Sequence, residues 1–182
     1  MNVIVVDLEM AQPSRKIIQI GAVCMNLKTG FILSQFNQYV NPEEELSEYI
    51  IKLTGISQKQ VDTGFKIQDA LTDFWAWTKD NNCKAVQAWG SDVWELIEES
   101  KSNMIVYPHI RSYNIKELAT VVKSALPNSA SKGGLLATMQ TFGLTFEGRQ
   151  HNALTDAINT AKLLFFIKEQ FRQIFEIKKV IK

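Results

Sequence analysis

The stretch that decides the fold lies near the start of the chain, where Val3-Ile4-Val5-Val6-Asp7-Leu8-Glu9 is apolar apart from two acids. A continuous run of β-branched and other apolar residues is typical of a strand that is buried on both faces of a sheet. Alternation along a strand points Asp7 and Glu9 to the same face. Functional groups of open α/β sheets commonly lie at such strand ends. The sequence therefore predicts a central strand that ends in a pair of carboxylates.

The rest of the chain predicts an α/β fold with a mixed central sheet flanked by helices. Two further strands, Lys16–Met25 and Phe31–Val40, follow the first and predict an antiparallel meander. Residues 85–89 and 110–113 predict two short strands later in the chain. Helical periodicity predicts helices near residues 47–53, 67–80, 92–97, 115–122 and 135–139, and from residue 152 onward.

Length and composition exclude several classes of protein. With 182 residues, 46% hydrophobic and 21% charged, the chain fits one globular domain over residues 1–182 rather than a disordered segment. A net charge of +1 argues against a polybasic coat protein, so any nucleic-acid site must be local. We expect no signal peptide, no membrane span and no disulfide framework, and therefore a cytoplasmic location.

Asp92 stands directly after a predicted buried strand, at a junction between strand and helix. The spacing from Asp92 to Glu95 is that of a capping box, and this residue taken alone is more typical of a helix cap than of a metal ligand. The two roles are compatible, because one carboxylate oxygen can cap while the other faces a metal ion.

His151 and Asp156 are five residues apart, which is about 140° around a helix. They converge only if His151 lies in a loop and Asp156 in the first turns of the helix that follows. Gly148 fits such a loop, and Asn152 can cap the helix. The alternatives are a histidine bonded locally in the loop and an acid that favours the helix dipole.

Carboxylates gathered at strand ends would repel one another unless cations neutralise them. Hard divalent ions with oxygen ligands do this, and a pair about 3.5–4 Å apart suits in-line attack on a phosphodiester. A neighbouring histidine can take the proton from the attacking water.

Three segments carry a resemblance to a known family: 5–9 (Val-Val-Asp-Leu-Glu), 89–92 (Trp-Gly-Ser-Asp) and 151–157 (His-Asn-Ala-Leu-Thr-Asp-Ala). The sequence resembles the DEDDh 3′→5′ exonucleases, the DnaQ-like branch with a ribonuclease H-like fold. The resemblance runs from about residue 2 to 167, and we expect residues 168–182 to be a helical extension of this core. Gly143 to His151 looks most like Eri-type exoribonucleases, and the stretch from His151 also looks like short phage-encoded exonucleases. In the tyrosine subclass of this family, the residue that corresponds to His151 lies four positions before the last Asp, where this chain has Asn152. The sequence therefore resembles the histidine subclass.

The resemblance implies roles for five residues. His151 would be the general base, water would attack the terminal phosphodiester, and nucleoside 5′-monophosphates would leave. Two Mg²⁺ or Mn²⁺ ions would be held by four carboxylates: Asp7, which would bridge both, Glu9, Asp92 and Asp156.

Three further residues are candidate contacts to the last nucleotides. The resemblance implies the backbone at Met10 and the side chain of Ile56, and the position of Trp89 at a strand end near Asp92 predicts a base-stacking surface. Two departures from the family bear on these contacts. Met10 stands where many relatives have a small polar residue, and Ser91 stands where many Eri-type members have an aromatic one.

Other candidates are more typical of ordinary structure. Trp75 and Trp77 lie within a predicted helix and indicate core packing. The basic residues near the C-terminus indicate a solvated helix end: Lys168, Arg172, Lys178, Lys179 and Lys182.

The sequence thus predicts a metal-dependent 3′→5′ exonuclease that acts on single-stranded or frayed ends of RNA or DNA, with RNA favoured. One alternative is a proofreading-type DNA exonuclease that acts with a polymerase. The other is a catalytically silent module that binds nucleic acid. No feature of the sequence decides the oligomeric state.

Overall fold

The computed structural model describes residues 1–124 and 133–180, with side chains as far as residue 171. The strands are β1 (Asn2–Met10), β2 (Ile17–Asn26), β3 (Ile32–Tyr39) and β4 (Val86–Ala88). The helices are α1 (Glu48–Thr54), α2 (Gln58–Asp62), α3 (Ile67–Asp80), α4 (Asp92–Ser102), α5 (Ile115–Ser124), α6 (Leu135–Thr141) and α7 (Ala153–Val180).

The four strands form one mixed sheet in the order β3-β2-β1-β4, which confirms the predicted fold class. The strand β1 is antiparallel to β2 and parallel to β4. In the parallel pair Val6 lies beside Ala88, so both strands run towards the same edge of the sheet. Asp7 is the residue of β1 after Val6, and Asp92 begins the helix after β4, so parallel pairing brings both acids to one edge.

The two faces of β1 pack against different groups of helices. Ile4, Val6 and Leu8 join an apolar cluster that includes residues of α3 and α4. Val3 and Val5 face the other way, into a cluster formed with α5, α6 and α7. Alternation along the strand puts Asp7 and Glu9 on this second face.

The start of α7 lies against β2 at Gly21, which pairs with Asp7 across the strands. A Cβ atom at Gly21 would lie 2.1 Å from the backbone nitrogen of Leu154, so the helix can approach this closely only over a glycine. The fully buried amide of Gln19 accepts a bond of 3.0 Å from the backbone N–H of Ala153 and donates to Asn37. These contacts set the height of the first turn of α7 above the acidic end of β1.

One local prediction is wrong in detail, and one short helix was not predicted. The segment 110–113 forms no strand, because only isolated bridges join Ala85 to Arg111 and Ala88 to Asn114. The backbone N–H of Tyr113 donates to the side chain of Gln87 instead of to a strand, which interrupts the ladder. The short helix α2, which begins with a capping box at Ser57, was not predicted.

Trp75 is buried in the core, as predicted, and its indole N–H donates to Ser100. No helix in the described part of the chain is long and apolar enough to span a membrane. The predicted basic side chains at Arg172, Lys178, Lys179 and Lys182 lie outside the described residues.

Candidate active site

Asp7 and Glu9 form the floor of a cleft of about 490 Å³ at the edge of the sheet. Both lie on the face of β1 that α7 covers, and Glu9 is only 8% exposed. The register between β1 and β2 shifts between Glu9 and Met10, so the strand is irregular where its acidic end meets solvent. Such irregularities are over-represented next to active sites.

Asp92 is the first residue of α4, and the N-cap is Ser91. The helix begins at Asp92, as predicted, but the capping box at Asp92 is wrong, because Ser91, after the turn at Gly90 (φ 132°), is the N-cap. Within the described residues, no side chain caps this helix. The carboxylate of Asp92 interacts with its own backbone N–H and lies near Asp7. Among the charged neighbours of Asp7, Asp92 raises its pKa the most.

His151 and Asp156 meet in the way the spacing required. His151 lies in the loop before α7 with a left-handed backbone (φ 58°), and Asp156 lies in the first turns of the helix. The backbone N–H of His151 donates to Oδ2 of Asp156 at 3.1 Å. Asn152 accepts from the backbone N–H of Thr155, so its predicted capping bond is present.

The loop that carries His151 is held at two further points. The amide of Asn159, which is fully buried, both donates to and accepts from the backbone of Glu147. The guanidinium of Arg149 donates to the carbonyl of Lys52 at 3.0 Å, at the end of α1. Gly55, the C-cap of α1 beside this guanidinium, has a left-handed φ of 76°, a conformation that favours glycine.

The residues at this edge fit a divalent cation. Ligand atoms of Glu9, His151 and Asp156 all lie within 4.8 Å of one another. Oδ1 of Asp156 is buried and accepts no hydrogen bond among the described residues. A buried carboxylate oxygen without a partner is costly, and a bound cation would satisfy it. The carboxylate oxygens of Glu9 and Asp156 suit Mg²⁺ or Mn²⁺.

Burial raises the pKa of each of these four acids. Burial raises the pKa of Asp7 well above its usual range, and the nearby carboxylates of Asp92, Asp156 and Glu9 add to this. Burial also raises the pKa of Glu9 to about 8, that of Asp92 to about 7 and that of Asp156 to about 6. A bound cation would reverse these shifts, because it favours the ionised carboxylates.

Of the three predicted substrate contacts, two are partly exposed and one is buried. Trp89 lines the cleft together with Asp7 and His151, and it is partly exposed. Met10 is partly exposed at the end of β1. Ile56 is only 1% exposed and packs in an apolar cluster with residues of α1 and α2. A contact from the side chain of Ile56 would need this cluster to open, and it stays a prediction.

Several residues of the site were not predicted. Leu136, Phe146 and Gln150 line the cleft beside the acids. Phe146 and Gln150 lie in the segment from Gly143 to His151 that resembles Eri-type exoribonucleases, but the resemblance assigned them no role. Gln19, which anchors α7, could have been found, because it is a polar residue inside an otherwise apolar strand.

A sequence model of the RNase T exonuclease family matches residues 4–164, which include the four carboxylates and His151. The chain belongs to this exonuclease family. ERI1 exoribonuclease 2 from Xenopus laevis is 31% identical over 176 residues, which is 82% of this chain and 25% of that protein. The human 3′-5′ exoribonuclease 1 is 28% identical over 162 residues, or 81% of this chain and 45% of that protein. The chain spans about a quarter of the length of the ERI1 exoribonuclease 2 proteins.

Solved structures agree with the fold that this family implies. The nuclease domain of 3′hExo, a DEDDh family member bound to rAMP, is 25% identical, with a TM-score of 0.77 over 93% of this chain and 92% of that one. The cell-death related nuclease CRN-4 is 19% identical, with a TM-score of 0.82 over 93% of this chain and 64% of that one. The fold is therefore that of a ribonuclease H-like DEDDh exonuclease domain.

Proposed function

We propose that this family member is a metal-dependent 3′→5′ exonuclease that releases nucleoside 5′-monophosphates from single-stranded or frayed ends. The observation that carries the proposal is the gathering of four carboxylates and one histidine at a single edge of the sheet. One buried oxygen of that cluster, Oδ1 of Asp156, lacks a partner among the described residues. The family match and the DEDDh neighbour support the same activity.

Two Mg²⁺ or Mn²⁺ ions would be held by the carboxylates at the edge of the sheet: Asp7, Glu9, Asp92 and Asp156. When bound, such ions lower the pKa of water and neutralise charge on the transferred phosphoryl group. Oxygen ligands on a rigid strand are suited to hold them, because β1 is paired with β2 along its length and with β4 as far as Val6.

His151 would act as the general base that accepts the proton of the attacking water. Its side chain is exposed in the cleft, and its backbone is fixed by the bond to Asp156 and by the left-handed turn. A general base must lie within hydrogen-bonding reach of the proton it takes, and a loop held at three points keeps the imidazole beside the carboxylates. Asp156 would therefore serve twice, as a ligand and as the anchor of the base.

RNA is the favoured substrate within this proposal. Relatives named as exoribonucleases and a neighbour bound to rAMP support it. Matched RNA and DNA oligonucleotides of one sequence test it by comparison of kcat/KM. We expect the RNA value to be higher, and a clear preference for DNA would contradict this choice while leaving the mechanism intact.

The activity itself is tested with 5′-end-labelled single strands in Mg²⁺ or Mn²⁺, with EDTA as the control. A ladder that shortens from the 3′ end, with 5′-monophosphates as products, is expected. The Asp7→Asn variant is expected to yield no ladder, because it removes the ligand that would bridge both ions. Binding without a ladder under every metal condition would instead favour a silent binding module.

A further inference from the structure

A second pocket adjoins the catalytic cleft on the far side of Trp89. It has a volume of about 350 Å³ and lies between α5 and α6. Trp89 and Gly134 line both the pocket and the cleft, so the two cavities form one continuous trough. We call this second cavity the lysine pocket. Its lining consists of Trp89, Lys116, Thr120, Lys123, Gly133, Gly134 and Thr138.

The two ends of the trough carry opposite charge. The cleft is lined by the carboxylates of Asp7, Glu9 and Asp156. Among the described residues, the lining of the lysine pocket includes two lysines and no acid. In a chain with a net charge of only +1, this separation of charge is local rather than general. A polyanion whose end lies in the acidic cleft would gain most from cations placed next to that cleft.

The two lysines follow one face of α5. Lys116 and Lys123 are seven residues apart, which is about two turns and roughly 10 Å along the helix. Lys116 is exposed, whereas Lys123 is only 4% exposed. The ammonium of Lys116 can therefore meet a phosphate of a bound single strand, whereas the side chain of Lys123 is enclosed. Trp89, between them and the carboxylates, is partly exposed at the junction of the two cavities.

We propose that the lysine pocket and Trp89 bind the nucleotides upstream of the scissile phosphodiester. Trp89 stacks on a base, and the exposed Lys116 contacts a phosphate that follows towards the 5′ end. Aromatic stacking combined with a basic groove is the usual means of holding single strands without sequence preference. This assignment rests on the proposed exonuclease function and extends it to the path of the strand.

The test compares Lys116→Gln with Lys79→Gln. Lys79 is an exposed lysine of α3, so its substitution makes the same change of charge away from the trough. Single strands of 2 to 12 nucleotides are degraded, and kcat/KM is measured against length and salt. For Lys116→Gln, the advantage of the 12-mer over the dinucleotide is expected to fall several-fold. The slope of log kcat/KM against log salt should fall by about 0.7, the value for one phosphate contact of a single strand. Lys79→Gln should keep the wild-type length dependence and slope.

Trp89 is tested by Trp89→Leu and Trp89→Phe. Loss of stacking is expected to weaken binding of the 12-mer by about tenfold in Trp89→Leu. Phenylalanine should restore much of this loss, which a purely structural role for the indole would not predict.

Equilibrium binding separates this proposal from the proposed function. A 5′-fluorescent 12-nucleotide RNA is titrated with Asp7→Asn protein, with and without Lys116→Gln, at several salt concentrations. A smaller salt slope in the double variant supports the pocket, even if the wild-type protein cleaves nothing. Equal slopes in binding, together with an unchanged length dependence in cleavage, would overturn the proposal and leave the exonuclease function standing.

Discussion

Replacing Glu9 by glutamine is expected to stabilise the metal-free protein at neutral pH, although it removes a predicted metal ligand. Burial raises the pKa of Glu9 to about 8, from an ordinary value of 4.5 that applies in the unfolded chain. As the pH rises, the unfolded state therefore loses this proton first, and the folded state is destabilised between the two values. Below about pH 4 the proton is bound in both states, and this contribution vanishes.

The size of the effect follows from the same two values. With an ordinary pKa of 4.5, pH 7 lies about 2.5 pH units above it, and each unit corresponds to about 1.4 kcal/mol. The wild-type folded state thus carries a free-energy cost of about 3 kcal/mol at pH 7 that Glu9→Gln avoids. For a chain of this length, roughly 2–4 °C of Tm accompanies each kcal/mol, so Tm should rise by roughly 6–12 °C.

Thermal melts in EDTA from pH 5 to pH 8 measure this, with the exposed Glu45→Gln as the matched control. The Tm difference between Glu9→Gln and wild type should grow with pH, and Glu45→Gln should follow wild type. In saturating Mn²⁺ the Tm of the wild-type protein should rise more than that of Glu9→Gln. Ions that bind only the folded state add about 2.7 kcal/mol to its stability at 100-fold Kd. A Glu9→Gln protein no more stable than wild type at pH 7 in EDTA would refute the reasoning.

Two other substitutions test how the site is positioned. Gly21→Ala should destabilise the protein by about 1–3 kcal/mol, since the added Cβ meets the backbone of α7, and chemical denaturation measures this loss. The variant should also show a smaller rise in Tm with Mn²⁺, which thermal melts measure. An unchanged rise in Tm would contradict the role of Gly21 in positioning α7. Arg149→Met should lower kcat about tenfold and leave the Mn²⁺-induced rise in Tm intact, because it frees the His151 loop from α1. Steady-state kinetics measure this, with Arg111→Met as the control. Equal kcat values for the two variants would count against it.

The central strand and its acids could be predicted because burial and alternation act locally along β1. Parallel pairing of β4 with β1 then follows from the usual α/β connection, and it brings Asp92 to the edge where Asp7 lies. The segment 110–113 could not be predicted correctly, because its pairing depends on a residue that is distant in sequence. The side chain of Gln87 accepts the backbone N–H of Tyr113, which a neighbouring strand would otherwise accept.

The site shows the same division between local and long-range information. The convergence of His151 and Asp156 could be predicted from their spacing and from the capping residue between them. The anchors of that loop could not, because the carbonyl of Lys52 that Arg149 contacts is 97 positions away in the chain. The N-cap at Ser91 was missed because it depends on a backbone turn at Gly90 rather than on a side-chain pattern.

The most direct test of the account measures the rate of RNA cleavage against pH for wild type, His151→Ala and Asp156→Ala, with the Mn²⁺-induced rise in Tm measured in parallel. His151→Ala is expected to keep the rise in Tm, to lose about 10²–10⁴-fold in rate, and to lose the acid limb of the profile, where a protonated imidazole cannot accept a proton. Asp156→Ala is expected to lose both the rate and the rise in Tm. Near-wild-type turnover of His151→Ala with the acid limb intact would contradict the account.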